Sequence, residues 1–162
     1  MVASACHLCS GAHVVFACPT APAGTRLLWV AAELGYEVLF VDAVRRRRGD
    51  RPTPEGYFCS GYTDYERRLI QIAKDRQPAM LLVLAHEIGH ALAARRMGID
   101  RMPPGKRRWA RTTERRAYLY GWAVLRMVAA EIVTREVWRD FHDDVPGLSL
   151  VPARLLAMRG KA

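Results

Sequence analysis

Apolar positions along the chain fall into blocks whose period changes from element to element. "RLLWVAAEL" carries apolar residues at helical spacing, follows Thr25, a capping residue type, and stops at Gly35. "YEVLFVD" is β-branched and aromatic and predicts a strand over residues 36–42. Residues 43–55 are polar and hold two prolines, which predicts a loop. "GYFCSGY" and "RRLIQIA" predict two strands, paired as an antiparallel hairpin around the turn "TDYE".

"LLVLAHEIGHALAARRMG", residues 81–98, predicts a largely apolar helix, with Pro78 in the first turn and Gly98 just past its end. Thr112 or Thr113 caps a second long helix that runs to about Asp140. "DDVPG" breaks the chain, and "LSLVPARLLAM" predicts a short last element. Helix, strands and then two helices point to an α+β fold with a small antiparallel sheet packed on the two long helices. The domain is expected over residues 25–145, between an irregular segment 1–24 and a tail 146–162.

Composition narrows the class. The 162 residues are 51% hydrophobic, enough for one domain with a core. No apolar run reaches the roughly 20 residues that span a bilayer. No Lys or Arg precedes Arg26, so the charged start of a secretory signal is missing. These features predict a cytoplasmic protein with no membrane partner and with its four cysteines reduced. The net charge of +9 is concentrated in "RRRR" at 45–48 and in "DRMPPGKRRWARTTERR" at 100–116. Such tracts are either solvated faces or fields that draw in an acidic partner or nucleic acid.

The chemistry sits in the apolar helix. Residues four apart share a helix face, so His86 and His90 point the same way and can bind one Zn²⁺. Glu87 lies about 100° round the helix, placed to act on a water rather than to join the ligands. The longer pattern with a Gly and a third His fails, because those positions are Ala93 and Arg96. A carboxylate on the next helix is the other solution, and Glu114 and Glu131 are the candidates. Glu114 heads a stripe of Tyr118, Gly121, Leu125, Val128 and Ile132, which predicts that it faces the core. Gly121 lets a second helix approach closely. Glu131 lies off the stripe and is expected in solvent or paired with Arg135. His86, His90 and Glu114 leave a fourth metal position for water, the mark of a catalytic site, with Glu87 as general base. Tyr118, Tyr120 and His142 are candidates for stabilising the oxyanion.

"HEIGHAL", followed by "ERRAYLYGWA" 24 residues after His90, resembles the ImmA/IrrE family of zinc metallopeptidases. The resemblance covers roughly residues 25–135. It implies a compact gluzincin-like (zincin) fold, with His86, His90 and Glu114 as zinc ligands and Glu87 as base. It also implies a protein substrate such as a DNA-bound repressor. One departure is Tyr118, where the family often carries Asn or Asp, and a partner of the zinc ligands is lost there.

A second constellation, Cys6, Cys9, His13 and Cys18, is one residue short of a zinc-knuckle spacing. A knuckle there would bind single-stranded nucleic acid. The plainer reading is reduced cysteines beside a short strand "HVVFA", with Cys59 a small core residue. The leading expectation is thus a zinc-dependent metalloendopeptidase. A non-catalytic regulator that keeps the zinc fold and a nucleic-acid-binding module stand as alternatives.

Overall fold

The computed structural model describes residues 4–5, 12–13, 21–42, 44, 60–74, 80–107, 110 and 112–134. Strands β1 (Ser4–Ala5) and β2 (Ala12–His13) pair antiparallel. Helix α1 (Ala23–Glu33) leads into β3 (Glu37–Val41), and the hairpin β4 (Gly61–Asp64) and β5 (Leu69–Ala73) follows. The two long helices are α2 (Met80–Arg96) and α3 (Glu114–Val128).

The three-stranded sheet has the order β3-β5-β4, with β5 in the centre. Ile70 and Ile72 of β5 are fully buried while Leu69 and Gln71 are half-buried, the alternation expected of a strand with one face on the core. On the other side of that layer lie Leu27 and Ala31 of α1, Leu84 and Ile88 of α2 and Leu125 of α3, all fully buried. The fold is α+β: a small sheet on one side, three helices on the other.

Several expectations need correction. The sheet is mixed rather than antiparallel, because β3 runs parallel to β5, with Glu37 opposite Leu69 and Val41 opposite Ala73. Strand patterning marks which face is buried but not which neighbour a strand pairs with. Helix α1 begins at Ala23 after Pro22, so Thr25 lies inside its first turn and is not its cap. Proline before a helix has φ preset for entry and no N–H to satisfy. The hairpin turn is Tyr65–Arg68 rather than residues 63–66. Asp64 Oδ1 accepts from the amides of Glu66 (2.9 Å) and Arg67 (3.0 Å), which starts the turn after Asp64. Arg68 closes it at φ +53°.

Gly98, at φ +74°, ends α2 in the left-handed conformation, as its position suggested. Helix α3 is capped by Thr113, whose hydroxyl accepts from Arg116 N (3.3 Å). It ends at Val128 rather than near Asp140, because Ala129 leaves helical geometry at φ −145°. Glu131, whose expected partner Arg135 lies outside the described residues, then pairs with Arg26 of α1. Burying the Arg26 guanidinium calls for that partner. Residues 43, 45–59, 75–79 and 135–162 lie outside the described residues. Pro78, Cys59, Arg135, His142, the "RRRR" tract and the C-terminal tail are therefore not placed.

Candidate metal centre

The site depends on how closely α2 and α3 cross. A Cβ on Gly89 would collide with the Ala117 carbonyl oxygen and lie 2.7 Å from Gly121 N. A Cβ on Gly121 would lie 2.6 Å from the Ala85 carbonyl oxygen. The two glycines therefore let backbone touch backbone, the close approach expected of Gly121. One turn before Ala117, the start of α3 comes alongside the histidine face of α2.

There Glu114 Oε2 lies 3.1 Å from His86 Nε2 and 3.4 Å from His90 Nε2. The two imidazoles meet edge to face, with centroids 4.8 Å apart and planes at 88°. The i, i+4 pair and the carboxylate proposed from the apolar stripe thus converge on one point. Glu114 does not face the core: its side chain is 70% exposed, against 14% and 11% for the two histidines. It sits at the head of the helix, where the apolar stripe runs out at the rim, and only its carboxylate end turns in over the imidazoles.

Hydrogen bonding to His86, and then to His90, holds the Glu114 carboxyl well below the usual carboxylate range, against the opposing effect of burial. For His90, burial favours the neutral ring. The hydrogen bond to Glu114 and the charges of Glu87 and Glu114 outweigh it and leave the pKa raised.

Glu87 is buried and has a partner of its own. Thr63 Oγ1 of the edge strand β4 lies 2.6 Å from Glu87 Oε2, and 3.1 Å from the Glu87 carbonyl oxygen as an alternative acceptor. Gly61 completes the cradle, since a Cβ there would stand 2.7 Å from both Cγ and Oε1 of Glu87. Thr63 and Gly61 were not foreseen. Their link to Glu87 is a strand-to-helix contact with no sequence spacing to mark it.

His90 Nδ1 lies 2.6 Å from Thr112 Oγ1, which in turn lies 2.7 Å from Tyr65 Oη. Burial, opposed by the hydrogen bond to Thr112, pushes the Tyr65 phenol up to about 12, so it stays protonated. Thr112 was foreseen only as a helix cap, which is Thr113's role. His86 Nδ1 is buried with no hydrogen-bond partner among the described residues. Its ring packs on Tyr118 at 4.1 Å between centroids. Of the oxyanion candidates, Tyr118 therefore lies at the site. Tyr120 instead lies beneath the Arg96 guanidinium, 5.5 Å from the ring centroid, and His142 is outside the described residues. So are Cys6, Cys9 and Cys18, while His13 is placed only as backbone in β2, so the second constellation has no described geometry.

Among the described residues, His86, Glu87 and His90 form a group able to hold a metal ion, with their ligand atoms within 4.8 Å of one another. The donor chemistry fits, with two imidazole nitrogens and a carboxylate oxygen turned to one point. Glu114 Oε2 is at both Nε2 atoms, whereas the Glu87 carboxylate is engaged by Thr63, so Glu114 is the better-placed third donor. Among the described residues no helix is long and apolar enough to cross a membrane. No protein-family model matches the chain, and no curated protein or solved structure matches it significantly.

Proposed function

We propose that this chain is a zinc-dependent metalloendopeptidase in which His86, His90 and Glu114 hold the metal and Glu87 is the general base. The observation that carries the reading is the separation of roles between two glutamates. Glu114 Oε2 lies on both imidazole Nε2 atoms. Glu87, one residue along from His86, is buried beside them and fixed by Thr63. Zinc held by those three side chains supplies a Lewis acid that polarises the scissile carbonyl and acidifies water.

The chain's own residues do the rest. Glu87 takes a proton from the attacking water and later passes it to the departing amine nitrogen. Thr63 keeps its carboxylate from rotating into the ligand set. Among the described residues strand β4 is a sheet edge, so an extended substrate can pair along it. Ala73 N donates to Ser60 O, so by alternation Tyr62 faces β5 and the amide of Thr63 faces the open side. Residues 57–59, just before this strand, are outside the described residues.

The two motifs shared with the ImmA/IrrE family support the same chemistry and a protein substrate such as a DNA-bound repressor. Exposed Arg101, Lys106, Arg115 and Arg116, near the start of α3, suit an acidic partner. A second reading, a zinc-fold regulator without turnover, is favoured by one observation: His86 Nδ1 lacks the acceptor that usually secures a ligating histidine. Glu87→Gln separates the two. In a peptidase it keeps zinc and abolishes cleavage of an unfolded protein substrate such as casein. In a regulator, wild type and variant bind zinc alike and neither cleaves.

A further inference from the structure

We propose that Thr112, backed by Tyr65, is a positioning residue for the metal, holding His90 as the Nδ1–H tautomer with Nε2 turned to the site. The inference rests on the reading of His86, His90 and Glu114 as metal ligands. An imidazole that ligates through Nε2 carries its hydrogen on Nδ1, and that hydrogen needs an acceptor. His90 Nδ1 has one 2.6 Å away in Thr112 Oγ1, while its Nε2 faces Glu114 Oε2 at 3.4 Å. A threonine hydroxyl oxygen has two lone pairs and one hydrogen. Accepting from His90 leaves it free to engage Tyr65 Oη at 2.7 Å, which fixes the hydroxyl in turn.

The three residues come from three places in the fold: α2, the segment entering α3 and the hairpin turn. The run Thr112-Thr113 then has two separate duties. Thr113 caps α3, and Thr112 orients the ring that faces that helix's first carboxylate. His86 has no such support, since its buried Nδ1 lacks a partner and its ring rests on Tyr118. The two ligands are therefore unequal: His90 is tied at both nitrogens and His86 at one.

The test uses the full chain, with zinc affinity read by competition against a chelator and cobalt(II) as a spectroscopic probe. Thr112→Val keeps the side-chain volume and removes the hydroxyl. It should weaken zinc binding about 10–100-fold and alter the visible cobalt bands. Thr112→Ser should restore both, and Tyr65→Phe should give a smaller loss of the same sign. A merely structural role would lower the thermal midpoint of the metal-free protein and leave affinity and bands unchanged. Wild-type affinity and bands in Thr112→Val, beside lost binding in His90→Ala, would overturn the positioning role and leave the metal reading standing. Unchanged affinity in His90→Ala would overturn the metal reading and this inference with it. If Thr112→Val does not fold, Tyr65→Phe decides, with reduced affinity supporting the role and unchanged affinity overturning it.

Discussion

Thr63 of the edge strand and Glu87 of the central helix are joined by a buried hydrogen bond of 2.6 Å from hydroxyl to carboxylate. A buried carboxylate left without its donor carries a desolvation cost, and this bond offsets part of it. Thr63→Val should therefore lower unfolding stability by about 1–3 kcal/mol, with zinc still bound. Urea denaturation with an unchanged slope checks this. A variant as stable as wild type would mean that Thr63 does not hold the base.

Gly89 and Gly121 set the distance between the two ligand-bearing helices. Gly89→Ala places a methyl group on the Ala117 carbonyl, so the helices must part. The expected cost is about 1–3 kcal/mol or more, together with weaker zinc binding as Glu114 moves off the imidazoles. Gly98→Ala is the contrast. Its site is open but at φ +74°, so it should cost about 1 kcal/mol through backbone strain alone and leave zinc affinity unchanged. Thermal unfolding and zinc titration on both variants separate the two effects.

Tyr118 packs on His86 without giving its Nδ1 a partner. Tyr118→Asn offers a carbonyl acceptor in its place. Zinc affinity should rise about tenfold or more in a competition titration. No gain would show that the side chain at 118 cannot reach His86 Nδ1.

The pH response should change sign with metal. In the metal-free protein the raised His90 pKa favours the folded state at low pH, a contribution lost as pH rises through that folded value. The lowered Glu114 pKa favours it above the ordinary carboxylate range, a contribution lost as pH falls. Metal-free stability from this pair should thus peak between about 4.3 and 6.5, the unperturbed values. Zinc needs a neutral His90, so zinc-loaded stability should keep rising above that window. Thermal midpoints across pH, with chelator and with zinc, read the difference directly.

Much of the site was legible because helical geometry is local. His86 and His90 share a face through the four-residue repeat, and the stripe from Glu114 to Leu125 pointed to the one of the two carboxylates that lies against both imidazoles. The same stripe misjudged where Glu114 stands, since periodicity gives a direction around the helix but not how far the neighbouring helix extends. Gly89 carries a signal of its own: a glycine in a helix interior costs about 1 kcal/mol against alanine and so implies a close approach. Thr63, Tyr65 and Thr112 carried none, because each reaches the site across the fold at 22 to 47 residues' separation. Sheet order was likewise hidden. The alternation of β5 is visible in its residues, but its pairing with β3 as well as β4 depends on the long connection before β4.

The zinc content of the purified chain, measured beside Glu87→Gln, His86→Ala and Glu114→Ala, tests the central claim most directly. One zinc per chain is expected in wild type and in Glu87→Gln, with occupancy lost in His86→Ala and sharply reduced in Glu114→Ala. Equal zinc in all four proteins, or none in wild type supplied with zinc, would contradict a metal centre built from these residues.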